Sequence, residues 1–268
     1  MRKEINAWLY TQYDADYTLE YPGEGYTGWN KQTIPIDPEH TAVVVMHAWD
    51  VGTPEQVPAQ YRVCEYVPRS TEIINNRLGG FLEKVRESGF NLIHIGSQSE
   101  RSIETLPGYI RTREKYGLGP SREMIASDPV LDELRSIRAE KVTYGHNLAG
   151  VNESREKYRD FAASVMPRDD EDVVATTHQL FELCKERGIN HLIYTGFAVN
   201  ACLTISPCGW IDMTHRGMMC SIVRELTTAV ENKESCRTEG HKEYGLWQFA
   251  LWGGFVFEQA DVEKLLCQ

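Results

Sequence analysis

The chain has 268 residues, of which 41% are hydrophobic and 25% charged, and a net charge of −11. That is enough for one large α/β domain with a full core, or for two small ones. The acidic balance, with no Lys/Arg cluster to override it, argues against nucleic acid as the main partner, and no run approaches the roughly 20 apolar residues of a membrane span.

Seven cysteines, at positions 64, 184, 202, 208, 220, 236 and 267, contain no CxxC pair. An odd count without metal spacing fits reduced thiols better than a disulfide framework. The first residues, MRKEIN, lack the apolar core of a signal peptide. A cytoplasmic protein is expected.

Residues 1–38 are rich in Tyr, Gly, Asp and Pro and lack helical periodicity, which predicts an extended arm with at most short strands. Residues 41–48, TAVVVMHA, form a continuous apolar run, as in a parallel strand covered on both faces. Over 70–88 the positions Ile73, Ile74, Leu78, Phe81, Leu82 and Val85 make a helical stripe ended by Gly89. A second strand is expected at 91–96. The polar stretch 97–128 reads as a long loop, a length usually reserved for lids or interfaces. Further expectations are a short strand at 141–144, a helix over 170–187 and a strand at 191–195. A helix around Cys202, strands at 218–224 and near 254–257, and a C-terminal helix opened by Gln259 or Asp261 complete the pattern. Strands alternating with helices imply a parallel sheet with right-handed crossovers. No linker divides residues 39–268, which read as a single α/β domain behind the N-terminal arm.

Sites in such sheets form outside the carboxyl ends of the strands. That rule selects His47, Trp49 and Asp50 after the first strand, His94 and Ser97 at the second, Lys141 at the third, and the turn from Gly196 to Cys202. A cysteine at the first turn of a helix is favoured as a thiolate, although a buried packing cysteine reads the same way.

These residues also carry a family likeness. Residues 196–202, GFAVNAC, resemble the G-x-A-T-D-x-C motif of the isochorismatase-like cysteine hydrolases, the group containing nicotinamidases and N-carbamoylsarcosine amidases. VVVMHAWD (43–50) looks like that family's first strand, written V-I-D-M-Q-N-D or, in some members, D-M-W-D. EKVTY (140–144) is similar to its lysine segment, K-x-x-Y-S-A-F. RGMM (216–219) and RELT (224–227) echo its R-G-Y strand and the D-A/L-T turn after it. The likeness runs from about residue 40 to the C-terminus and leaves out 1–38 and 99–128.

The resemblance implies a three-layer α/β/α fold on a six-stranded, mostly parallel sheet, with a Cys-Asp-Lys triad. Carried over, Cys202 is the nucleophile and Lys141 the cation. A cis peptide joins Phe197 to Ala198, and the N–H groups of Ala198 and Cys202 form an oxyanion hole. Trp49, Asp50, Ser97 and Val199 would line the substrate pocket. The family's catalytic aspartate, however, aligns with His47. Either His47 replaces it as general base, or Asp50 reaches in, or hydrolysis is lost. An imidazolium beside Lys141 would be a poor electrostatic neighbour.

Between Val51 and Ser70 there is no histidine, and Glu55 and Glu65 are the acids, so no catalytic metal and no cofactor are expected. His94, inside an apolar strand, reads as a core histidine; Cys184, Cys208 and Cys220 read as packing residues. His146 and Asn147 would line an entrance. The aromatic cluster Tyr244, Trp247, Phe249 and Trp252 reads as interface or core. Without GxGxxG, Walker or GxSxG motifs, nucleotide and serine-hydrolase readings lack support. A redox thiol is disfavoured, with Cys208 the nearest resolving candidate. The expectation is therefore a homo-oligomeric hydrolase, a dimer or larger, cleaving an amide or related C–N bond of a small molecule through a Cys202 thioester. The alternative is a catalytically impaired relative kept for ligand binding or assembly.

Overall fold

A computed structural model describes residues 2–121 and 123–267. Its strands are β1 (Lys3–Thr11), β2 (Gly28–Ile36), β3 (Thr41–Met46), β4 (Trp49–Asp50), β5 (Asn91–Ile95), β6 (Asp160–Phe161), β7 (Asp172–Val174), β8 (His191–Gly196), β9 (Met219–Val223) and β10 (Val256–Phe257). Its α-helices are α1 (Pro58–Val63), α2 (Val67–Ile73), α3 (Gly79–Ser88), α4 (Pro107–Tyr116), α5 (Pro129–Arg138) and α6 (Leu148–Tyr158). They continue with α7 (Thr177–Arg187), α8 (Cys202–Ile205), α9 (Trp210–Thr214), α10 (Gly240–Gln248) and α11 (Gln259–Leu266).

The main sheet has eight strands in the order β2-β1-β10-β9-β8-β3-β5-β7. From β10 to β7 all neighbours pair in parallel, which is the six-stranded parallel unit expected. The N-terminal residues add an antiparallel hairpin of two nine-residue strands, joined to β10 through Trp8 opposite Val256. Aromatic edges seal this junction: Tyr10 meets Trp29 at 5.3 Å and Trp247 at 6.1 Å between ring centroids.

Every residue of β3 is buried, because helices cover both faces. Val43 and Val45 point into one apolar layer with Phe81, Leu82 and Val85 of α3 and Val262 and Leu265 of α11. Val44 and Met46 point into the other, with Leu180 and Leu183 of α7, Trp210 and Met213 of α9, and Leu246 of α10. Alternation along one strand thus builds both cores of an α/β/α sandwich.

Several expected elements differ. The stretch 97–128 is not one long loop: it holds α4, whose Gly108, Tyr109 and Thr112 are buried against β7 and α7. Residues 1–38 form full nine-residue strands of the main sheet, not an arm with short ones. Residues 170–187 are not one helix: Val173 and Val174 are fully buried and belong to β7, paired with β5, and α7 begins only after Thr176. Thr176 and Gln179 close a capping box there, so the helix start is set by reciprocal side-chain bonds to the backbone. Residues 141–144 are not a strand, since Ala139–Thr143 is a helical turn continuing α5, all of it partly or fully exposed. The stripe at 70–88 is helical throughout, but passes through a π-type segment, Ile74–Leu78, before α3.

Candidate active site

Three strand ends meet at the centre of the sheet. Met46 pairs with Ile95 on one side and with Gly196 on the other, so the residues after β3, β5 and β8 emerge together. His47 turns the chain there with φ of +50°, a left-handed conformation that histidine tolerates better than most side chains. Its backbone N–H donates to the Ile95 carbonyl at 3.2 Å, and the Phe197 N–H donates to the Met46 carbonyl at 3.0 Å. Gly196 makes this possible: its φ is +106°, and a Cβ there would sit 2.0 Å from the Met46 carbonyl oxygen.

The turn after β8 is fixed from the neighbouring chain. Thr227 Oγ1 donates to the Gly196 carbonyl at 2.7 Å, and the Val199 N–H donates to the Thr228 carbonyl at 2.9 Å. Asn200 clasps Val230 with two hydrogen bonds, Nδ2 to the carbonyl at 2.8 Å and N–H to Oδ1 at 2.9 Å. The Phe197–Ala198 peptide is cis. Among the described residues, the N–H groups of Ala198 and Cys202 donate to no protein acceptor. Cys202 is half-buried and opens α8, which is a single four-residue turn. So short a helix has almost no macrodipole with which to hold a thiolate.

The cavity beside this turn has a volume of about 70 Å³. It is walled by His47, Trp49, Phe197, Cys64, Tyr66, Arg155 and Arg159, among others. Cys202 stands next to it, within electrostatic reach of Cys64, Tyr66 and Arg159. The His47 ring stacks on Trp49 at 4.4 Å, and the Arg159 guanidinium lies 3.7 Å from the centroid of the same indole. Trp49 Nε1 and the Ser97 N–H both donate to Glu100.

Charge states follow from burial. His47 is 7% exposed, and desolvation, aided by the positive charge of Arg159, pulls its imidazole down to about 3 against a backbone hydrogen bond at Gly96. It is therefore neutral across the physiological range, and its Nδ1 is buried without a partner among the described residues. Burial pushes the Glu100 carboxyl up to about 7, against the Ser97 and Trp49 hydrogen bonds and the charge of Arg159. Burial also raises the Cys64 thiol, although Arg155 and Arg159 oppose it. Burial lowers Arg159, with Glu100 acting in the opposite direction and Arg155 in the same one.

The expected site residues divide. His47, Trp49 and Phe197 line the cavity, and Ala198 and Cys202 sit on the turn beside it. Asp50 is exposed, accepts the Gly52 N–H at 2.9 Å and lines a separate, open groove of about 710 Å³ on the far side of Trp49. Ser97 bonds to Ser99 and Glu100 rather than facing the cavity. Val199 is completely buried in the core beneath Gly245. Lys141 is exposed on the turn after α5 and is not part of the cavity wall. The cations at the cavity are instead Arg155 on α6 and Arg159 just beyond it.

A single sequence barely marks these arginines. The available signal is their i, i+4 spacing, with Arg155 in the last turn of α6 and Arg159 at its C-cap. His94 is a core histidine, bonded through Nε2 to Glu171 at 2.8 Å. Cys184, Cys208 and Cys220 are buried packing residues, and all seven cysteines are free. Among the described residues, no three His, Cys, Asp or Glu side chains are grouped so as to hold a metal ion.

No family model matches the sequence, and no curated protein matches it. Solved structures do. The chain is similar to a cysteine hydrolase from Pseudomonas syringae pv. phaseolicola, at 14% identity over 86% of this chain and 94% of that one, with a TM-score of 0.48. It is similar to an isochorismatase-like hydrolase from Alkaliphilus metalliredigens, at 18% identity over 84% and 96% of the two chains, TM-score 0.47. It is also similar to the nicotinamidase from Staphylococcus aureus, at 12% identity over 82% and 98%, TM-score 0.40.

Proposed function

We propose that the chain is an isochorismatase-like cysteine hydrolase that cleaves an amide or related C–N bond of a small molecule at Cys202. The observation that carries this reading is the position of Cys202. It is a half-buried thiol on a rigid turn at the centre of the strand ends, with Arg159 within electrostatic reach and a small cavity alongside. Arg159 takes the part of the cation that the resemblance gave to Lys141, within electrostatic reach of the sulfur.

The sulfur attacks the substrate carbonyl, and the N–H groups of Ala198 and Cys202, free of protein acceptors, receive the oxyanion. The C–N bond breaks, the amine leaves with a proton from solvent or from the cavity, and water hydrolyses the thioester. His47 does not form a resting thiolate–imidazolium pair, because its imidazole is held neutral. It lines the pocket as an uncharged hydrogen-bonding group.

The test is ammonia or amine release from a panel of primary amides and N-carbamoyl compounds. Turnover is expected in the wild type and absent in Cys202→Ala. Arg159→Gln should alkylate with iodoacetamide at pH 7 roughly tenfold more slowly at Cys202, the effect of losing one nearby charge. No turnover on any member of the panel would leave the second reading, a ligand-binding relative without catalysis. One specific observation favours that reading: neutral His47 stands where the resemblance puts a carboxylate.

We also infer self-association through α5. This helix buries none of its residues, and Val130, Leu134 and Ile137, 64%, 58% and 47% exposed, form an apolar stripe. Its first half carries Asp132 and Glu133 and its second half Arg135 and Arg138. Two copies laid antiparallel about a two-fold axis would bury both stripes and place acidic halves against basic ones. A cytoplasmic location remains part of this reading, consistent with seven free thiols.

A further inference from the structure

The cavity has an excess of positive charge that the protein does not neutralise. Among the described residues, neither Arg155 nor Arg159 forms an ion pair with a carboxylate, although the chain as a whole carries a net charge of −11. Arg155 reaches only a phenol: Nη2 donates to Tyr144 Oη at 3.1 Å, and the guanidinium lies 5.3 Å from that ring's centroid. Arg159 Nε is buried with no protein acceptor. The two guanidinium groups are close enough to repel each other. Glu100 is the acid that interacts with Arg159, and its two oxygens are already occupied by Trp49 Nε1 and the Ser97 N–H.

Two like-charged residues lining one cavity, with the buried Arg159 Nε left over, are a cost unless an anion enters. A guanidinium fork matches a carboxylate in shape and forms the stronger, charge-assisted kind of hydrogen bond. At about 70 Å³, the cavity admits only a short molecule, a few heavy atoms long.

We propose that this cavity binds the carboxylate of the substrate through Arg155, with Arg159 shared between that carboxylate and the sulfur of Cys202. The substrate is then a short amide whose other end is a carboxylate. This rests on the reading of Cys202 as the nucleophile, but its test separates the two.

Iodoacetate and iodoacetamide differ only in the group the cavity would recognise. Each is incubated with the intact protein, and labelling at Cys202 is read by mass spectrometry against the exposed thiols of Cys236 and Cys267. On the exposed thiols of an acidic protein iodoacetate gains nothing. At Cys202 the iodoacetate-to-iodoacetamide ratio is expected to be about tenfold higher, a gain in line with one charged hydrogen bond. Propionate, but not propionamide, should abolish the excess. Arg155→Gln should lose it, and Arg155→Lys, which keeps the charge in place should the glutamine variant fail to fold, should retain part.

Equal ratios at all three thiols overturn the carboxylate site while leaving the nucleophile intact. If Cys202 resists both reagents, the hydrolase reading falls, and melting decides the carboxylate site without a reactive thiol. Propionate should then raise the wild-type melting temperature more than propionamide does, and not that of Arg155→Gln. No difference between the two additives overturns the proposal.

Discussion

At the residue scale the site turns on His47. The left-handed backbone at this position, φ of +50°, suits Asn and Asp as well as His, so both substitutions are sterically available. His47→Asp places a carboxylate beside Arg159, in the place the resemblance assigns to the catalytic acid. Hydrolysis of whichever amide the panel identifies should rise, by roughly tenfold or more, as a positioned acid–base group commonly gives. An unchanged or lower rate would mean that His47 is an adapted part of the site, not a lost acid.

The same residue makes a thermodynamic prediction. A histidine held at about 3 in the native state and near 6.5 when unfolded binds its proton only on unfolding. Its contribution to stability is present above pH 6.5 and is lost as pH falls from there towards 3. His191, pulled down to about 4 by burial, acts in the same sense. Glu100, raised to about 7, opposes both, since the folded state binds its proton first on acidification. The wild type is therefore a sum of opposed terms, and the clean measurement is a difference. His47→Asn should lose about 2 kcal/mol less stability than wild type between pH 7.5 and pH 5, measured by urea unfolding. Parallel pH profiles would show that the His47 ring titrates normally.

At the scale of elements, the β8 turn is where sequence and packing agree most closely. Gly196→Ala must move a carbonyl that a Cβ would approach to 2.0 Å, and must hold a φ of +106° that alanine avoids. A loss of roughly 3 kcal/mol or more is expected, lowering the melting temperature by roughly 6–12 °C. Gly89 is the control: its φ is also positive, at +73°, but a Cβ there meets nothing within 4 Å. Gly89→Ala should cost only about 1–2 kcal/mol.

The same contrast explains what could be read from the chain. β3, β5 and β8 are legible because strands covered on both faces are nearly continuous apolar runs, as VVVM, LIHI and LIYT are, with His94 and Thr195 satisfied by Glu171 and the Val44 carbonyl. β7 was not, because three residues ahead of a capped helix merge into its periodicity. The N-terminal hairpin was hidden because an edge pair needs few apolar residues; only Ile5, Ala7 and Ile36 in it are fully buried. The lysine strand failed for a different reason: Lys141 follows α5 without a break, and neither covers a core. Arg155 and Arg159 carry little signal in the sequence because arginines spaced four apart at a helix end are usually solvated. What sets this pair apart is the cavity, which chain folding assembles from α1, α2, β4 and α6.

For the whole molecule, the unexplained surface is α5. A helix with no buried residue gains little from tertiary contact, yet it is fully formed and capped by Asp128, whose Oδ1 accepts the Val130 and Leu131 N–H groups. Isolated ten-residue helices are marginal in water, so a partner surface is the straightforward source of stability. Between copies carrying −11 each, long-range repulsion opposes association, and salt should therefore tighten it. Sedimentation of the wild type should show a dimer that strengthens from low to physiological ionic strength. Leu134→Glu combined with Ile137→Glu removes two apolar residues, each worth about 1.5–3 kcal/mol when buried, and should weaken the dimer by roughly 100-fold or more. Its melting temperature at high dilution should stay close to wild type, because these side chains are largely exposed within one chain. A wild type that stays monomeric at every salt concentration, or a double variant that still pairs, would place the interface elsewhere and leave α5 stabilised by some other contact.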